Sequence, residues 1–151
     1  MLDNQFDGLD GIADTNCFMS VDGTHCPIFE PWPFSTKYFS KKMNGPGLSY
    51  EVGICIKTCH IVWVNRPFVA STNDSVMFRS LLTHLLCKDK GVEVDAGYKG
   101  DTKMKTPNMG ITRQIRKEKR KVRGRHKNVN RRLKQFNVLK THFATLVQGM
   151  Q

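Results

Sequence analysis

Hydrophobic and polar positions change their spacing several times along this chain, and each change predicts an element. Cys17 to Asp22 read as a strand, stopped by the turn pair Asp22-Gly23. PIFEPWPF follows, with Pro27, Pro31 and Pro33 in and around it, and predicts an extended, proline-stiffened connection. NGPG at 44–47 is a turn signal between TKYFSKKM and LSYEVGICIKT. LSYEVGICIKT and HIVWVNRPF read as two β-rich runs joined by a short turn near Thr58 to His60. The spacing then becomes helical in SVMFRSLLTHLLCK, where Met77, Leu81, Leu82, Leu85 and Leu86 share a face and Asn73 or Asp74 can cap the start. GVEVDAGYKG predicts a short strand over Val92 to Asp95. Residues 99–126 are basic, contain Pro107 and Gly110, and are expected to be mobile in part. Val129, Leu133, Phe136, Leu139 (or Lys140) and Phe143 then form one stripe of an amphipathic helix. Three strands, a helix, a strand and a helix give an α/β layout: a mixed sheet with flanking helices.

Composition adds one feature that the pattern does not show. The 151 residues, 39% hydrophobic and 25% charged, are ordinary for a globular chain and long enough to bury a core. The formal net charge of +11 is not ordinary. Between Lys103 and Lys140 lie 15 of the 24 lysines and arginines, with Glu118 as the one acid. A block of this density points to a polyanion, most often nucleic acid; a solvated face is the plainer alternative. Residues 1–16 carry Asp3, Asp7, Asp10 and Asp14 and read as a flexible acidic lead-in. That start lacks the apolar stretch of a secretory signal, and no apolar run approaches the roughly 20 residues needed to span a bilayer, so no membrane partner is expected.

The odd cysteine count (Cys17, Cys26, Cys55, Cys59 and Cys87) predicts free thiols in a reducing compartment. Cys55-x3-Cys59-His60 invites a zinc reading. If the run is a strand, a spacing of four places the two thiols on one face about 13 Å apart, too far to share an ion. Buried thiols are the expected outcome.

Two carboxylates stand out by placement. Asp22 closes the first strand in SVDGTH, and Asp95 closes a later one in VEVDAGYKG. Acids delivered at the ends of apolar strands stand where ligand sites gather in α/β sheets. On neighbouring strands they can share a hard divalent ion such as Mg²⁺ or Mn²⁺. From spacing alone, ordinary strand-ending aspartates in turns remain an open reading.

The segments SVDGTHCPIFEP, YFSKKMNGPGLSYEVGI, IVWVNRPF, NDSVMFRS, VDAGYKG and RGRHKNVNRRLKQF occur in that order. Together, over roughly Cys17 to Phe143, the sequence resembles the DDE-superfamily endonuclease domain of Harbinger-type transposases. The resemblance implies an RNase H-like fold in which three acids bind divalent ions for DNA strand cleavage and joining. It places the first acid at Asp22 and the second at Asp95. The third acid falls in a motif R-x-R-H-E-x-x-N, which here reads Arg123-Gly124-Arg125-His126-Lys127-Asn128-Val129-Asn130, so Lys127 stands at the acid position. Arg66 stands where the pattern has glycine, the family's separate N-terminal helical region is not expected within these residues, and the tail after Lys140 matches poorly.

The charge reversal at Lys127 has a physical consequence. Replacing a carboxylate by an ammonium about 5 Å from a dication changes the raw Coulomb energy by on the order of 10 kcal/mol at an effective dielectric near 20, before screening. A second ion should therefore be lost, unless Lys127 takes an ion's place or faces solvent beside Arg131 and Lys134. His25 and Asp74 are candidates for orienting a ligand or water beside the metal; a plain loop histidine and a helix cap are their alternatives. Tyr98 is expected to pack or to meet a phosphate, and Trp63 to lie in the sheet core. Arg116, Lys117, Lys119, Arg120, Lys121, Arg123, Arg125, Arg131 and Arg132 are the expected DNA-backbone contacts.

The organisation expected from the sequence is a lead-in over 1–16, one endonuclease-like domain over 17–147 with a basic segment at 101–126, and a tail over 148–151. The expected function is a transposase-derived domain that binds Mg²⁺ or Mn²⁺ and DNA in the nucleus, with cleavage impaired at Lys127. A separate DNA-binding partner protein is compatible with it. A non-catalytic DNA-binding or interaction protein, or a decayed transposon copy, is the alternative.

Overall fold

The computed structural model describes residues 17–106 and 112–140; the lead-in, the tail and Phe143 lie outside them. The strands are β1 (Cys17–Pro27), β2 (Phe39–Ser40), β3 (Gly45–Cys55), β4 (Ile61–Val64), β5 (Phe68–Val69), β6 (Gly91–Val94) and β7 (Met104–Lys105). The helices are α1 (Asp74–Ser80), α2 (Leu82–Leu85), α3 (Arg113–Leu133) and α4 (Asn137–Lys140). One sheet runs β2-β3-β1-β6-β7, and β4 and β5 pair with β3. β1 is antiparallel to β3 and parallel to β6, and β6 is parallel to β7. The result is an α/β mixed sheet with flanking helices, consistent with an RNase H-like fold. No helix among the described residues is long and apolar enough to cross a membrane.

The main core lies between the sheet and α1–α2. Phe18, Met19, Val21, Trp63, Phe78, Leu82, Val92, Val94 and Tyr98 belong to one buried cluster, with Phe78 and Tyr98 edge to face at 6.4 Å. Burying side chains such as Phe78 and Leu82 contributes roughly 1.5–3 kcal/mol each. On the other side, α3 is seated by a much smaller apolar contact of Val122 on Cys17 and Ile56, and the Arg125 guanidinium donates to the Ile56 carbonyl at 2.8 Å.

One irregularity in β1 sets what each face carries. Cys17 pairs with Gly91 and Met19 with Val92, so Phe18 is an extra residue, a β-bulge. Phe18 and Met19 consequently both enter the main core. Beyond the bulge, Met19 and Val21 face the core while Ser20 and Asp22 face α3.

Several boundaries differ from the predicted ones. β1 does not stop at Asp22-Gly23 but continues to Pro27, because β3 pairs with it along that whole length. The predicted α-helix over SVMFRSLLTHLLCK breaks at Leu81 (φ −146°) into α1 and α2, and Asn73 rather than Asp74 caps it, accepting from the Ser75 N–H at 2.9 Å. β7 was not predicted. α3 begins at Arg113, well before the predicted start of the last helix and inside the basic stretch, and it closes at Leu133, with Gln135 and Phe136 N–H groups bonded three residues back. Phe136 is therefore exposed and not part of a continuous apolar stripe. Cys59 lies in a turn with φ 62° and its N–H bonds back to the Cys55 carbonyl, so the straight-strand premise of the 13 Å spacing does not hold. All five cysteines are free, and Cys17, Cys26 and Cys55 are buried.

Candidate functional site

Asp22 and Asp95 come together because β1 and β6 are parallel neighbours. Val21 pairs with Val94, so the next residue on each chain is an aspartate, and both project to the face covered by α3. Asp22 is thus not at a strand tip; it sits in mid-strand, beside the point where β6 ends. A cavity of about 340 Å³ opens between the sheet and α3, lined among others by Asp22, Asp95, Arg120, Arg123, His126 and Lys127.

α3 brings a row of side chains over the pair. Arg123, His126, Lys127 and Asn130 fall three or four residues apart and share a helix face. Arg123 donates to Asp95 Oδ1, and Asn130 Nδ2 donates to Asp22 Oδ2 at 3.2 Å. His126 is buried with Nδ1 3.4 Å from Ser20 Oγ, and burial holds its pKa down at about 4. Lys127, at the position where the resemblance expects the third acid, lines the cavity and its charge acts on Asp95.

The two carboxylates differ electrostatically. Burial pushes Asp22 above the usual carboxylate range, and the Asp95 charge adds to this, against the opposing pull of Lys42, the Gly23 N–H and Arg123. Burial also acts upward on Asp95, but the Ala96 N–H at 2.8 Å, the Arg123 guanidinium and the Lys127 charge outweigh it and hold Asp95 low.

Asp74 approaches from the other face of β1. A Cβ added at Gly23 would lie 2.6 Å from Asp74 Oδ1, so only glycine leaves room for this carboxylate. Asp74 is pushed up by burial and then by the charges of Asp22 and Asp95. With the capping role taken by Asn73, Asp74 is an acid set beside the pair. His25 is not: its Nδ1 lies 3.0 Å from Ser49 Oγ and 3.3 Å from Ser40 Oγ, on the opposite strand face from Asp22. Tyr98 is buried in the core, and Trp63 lies in the sheet core with Nε1 donating to Glu51 Oε2 at 3.0 Å.

Two buried acids escaped the sequence reading. Glu93 lines the cavity two residues before Asp95, on the same strand face; the alternation in G-V-E-V-D carries that signal. Glu51, paired across from Gly23, is fully buried behind the site. Burial raises its pKa to about 7, the Trp63 and Asn65 hydrogen bonds oppose the rise, and Asp74 adds to it.

The expected DNA contacts all fall on α3. Arg116, Lys117, Arg120, Lys121, Arg131 and Arg132 are exposed, while Arg123 and Arg125 are engaged by Asp95 and Ile56. The Lys119 side chain lies outside the described residues.

Asp22 and Asp95 carry hard oxygen donors of the kind a single divalent cation takes, while Asp74 stands on the other face of β1. Against a second ion stand Arg123 and Lys127. Among the described residues, no group of three or more Asp, Glu, His or Cys gathers closely enough to hold a metal ion.

Compared with known proteins, no curated protein matches the chain and no solved structure matches it. The sequence profile of the DDE superfamily endonucleases matches residues 21–150, which takes in Asp22, Asp74, Asp95 and all of α3 and extends past Lys140, where the motif resemblance weakens. The match spans most of the chain, and the chain belongs to the DDE superfamily endonucleases.

Proposed function

We propose that this chain is a transposase-derived domain of the Harbinger type that holds one divalent cation between Asp22 and Asp95, binds DNA along α3, and is impaired in strand cleavage. The observation that carries the proposal is that Lys127, at the position where the resemblance expects a third carboxylate, lines the cavity of the aspartate pair beside Arg123. A divalent ion bound there would stabilise charge at a phosphodiester and activate water. The chain's own residues do the rest. Asp22 and Asp95 supply hard oxygen donors, Asn130 orients Asp22, and the exposed α3 cations meet the DNA backbone in a nuclear setting. Lys127 removes one donor and adds a repelling charge.

The test is cleavage of supercoiled plasmid in Mg²⁺ or Mn²⁺. The unmodified chain should leave it intact. Lys127→Glu should nick it in a metal-dependent way, and adding Asp95→Ala should abolish the nicking. Robust cleavage by the unmodified chain would refute the impairment.

The Arg123–Asp95 ion pair favours one further reading, a DNA-binding protein in which a guanidinium takes the cation's place. Calorimetric titration with Mn²⁺ separates the two: no binding that depends on Asp22 and Asp95 would select the metal-free reading.

A further inference from the structure

The connection between β1 and β2, together with the first residue of β2, takes no part in the site described above, yet it carries four exposed aromatic rings. Trp32 is 95% exposed, Phe34 63%, Phe29 61% and Phe39 45%. A tryptophan exposed to this degree contributes almost nothing to folding, and large exposed apolar patches mark interaction sites. Pro31 and Pro33 flank Trp32 and fix φ on both sides of it, so the ring is displayed on stiff backbone and loses little freedom on binding.

The charge around these rings points to the kind of ligand. Lys37, Lys41 and Lys42 are exposed in the same stretch of chain, and Glu30 is the single acid between Ile28 and Asn44. The core of a protein–protein interface is depleted in lysine. Surfaces that hold single-stranded nucleic acid combine basic side chains along the backbone with aromatic rings under the bases. Lys42 links this surface to the acids, because its charge acts on both Asp22 and Asp74. The turn bearing Lys42 is anchored by the contact of Ser40 Oγ with His25 Nδ1.

We propose that Phe29, Trp32, Phe34 and Phe39 form a stacking platform for the unpaired bases of a single DNA strand, whose phosphates pass Lys37, Lys41 and Lys42 toward the Asp22–Asp95 pair. The proposal rests on the reading that DNA is the ligand of that pair. Duplex DNA keeps its base faces in the stack, so the platform distinguishes an open strand from a duplex while the α3 cations hold either one.

The full chain is titrated against fluorescein-labelled oligo-dT and against a duplex of equal length, at one salt concentration. Trp32→Ala with Phe34→Ala should weaken oligo-dT binding about tenfold or more and change duplex binding less than about twofold. Arg116→Ala with Lys117→Ala should weaken both. The chain has two tryptophans, and Trp63 is buried, so quenching of tryptophan fluorescence by oligo-dT should disappear in Trp32→Phe. Oligo-dT affinity unchanged by the ring substitutions overturns the platform alone, as does equal loss on duplex. Tighter binding of oligo-rU than oligo-dT overturns the assignment to DNA. Self-association of the unmodified chain in ultracentrifugation that the ring substitutions abolish would assign the rings to a second copy of the chain. If the unmodified chain binds neither DNA form, the DNA reading of the whole site falls with the platform.

Discussion

Arg123, on the helix above the sheet, forms an ion pair with Asp95 at the end of β6, one turn before Lys127. Two neighbouring carboxylates are thereby made unequal. Asp22 is raised by burial, and Asp95 is held low by a hydrogen-bonded backbone amide and two cations. The partner that stabilises ionised Asp95 is also a competitor for any metal ion there.

Arg123→Ala should therefore move the Asp95 acid constant upward, as read from its carboxyl carbon shift in an NMR titration. It should also raise Mn²⁺ affinity severalfold, up to about tenfold, because one competing positive charge is gone. Unchanged Mn²⁺ binding in calorimetry would show that the guanidinium does not occupy the cation's place.

Gly23→Ala places a methyl group 2.6 Å from Asp74 Oδ1. The expected cost is about 1–3 kcal/mol in urea unfolding. Gly23→Ala in an Asp74→Ala background should cost clearly less, since the clashing carboxylate is gone and Asn73 keeps the cap. Additive losses would mean that the two residues are not in conflict.

Glu51 and His126 give stability opposite pH dependences. The Glu51 pKa rises from 4.5 to about 7 on folding. The folded state therefore holds the proton more tightly, and stability falls as pH rises from 4.5 through 7, by on the order of 3 kcal/mol. The His126 pKa drops from 6.5 to about 4. Its contribution is present above 6.5 and is lost, on a similar scale, as pH falls through 4. Between about 4.5 and 6.5 the two slopes cancel. Glu51→Gln should leave a stability that climbs with pH across that range, and His126→Gln one that declines. A flat profile for Glu51→Gln in urea unfolding would contradict the assignment.

Duplex DNA binding along α3 should weaken steeply with salt. Removing Arg116 and Lys117 together should reduce the slope of log K against log salt by roughly 2, if each neutralises one phosphate. A slope that does not change would place the backbone contact elsewhere.

The parts of this molecule that were legible in the sequence are those encoded locally. Strand runs, the NGPG turn, the helical spacing around Met77 and the concentration of charge from Lys103 to Lys140 all lie within short windows. The collinear motifs singled out Asp22 and Asp95 as the acid positions that the resemblance implies, whereas the residues alone favoured ordinary strand-ending aspartates. α3 was read too short because its apolar seam is thin. Among its described side chains, Val122, Val129 and Leu133, with His126 between them, are less exposed than most of the surrounding cations, and of these Val122 joins the buried apolar contact. That seam follows helical spacing, and His126 in it was a signal that charge density obscured.

By itself, the sequence determined the supply of chemistry: two aspartates after β-branched positions, a lysine where the resemblance expects an acid, and a cationic stretch around it. Tertiary structure decided which of these meet. The extra residue at Phe18 reverses the side-chain alternation of β1 and turns Asp22 toward α3, because strand side chains change face with every residue. Parallel pairing of Val21 with Val94 then brings Asp95 alongside. The seating of α3 on Cys17 and Ile56 sets Arg123 over that pair, and the bare backbone of Gly23 admits Asp74 from the opposite face. Each of these contacts joins residues far apart in the chain, and depends on register and facing that no short window encodes.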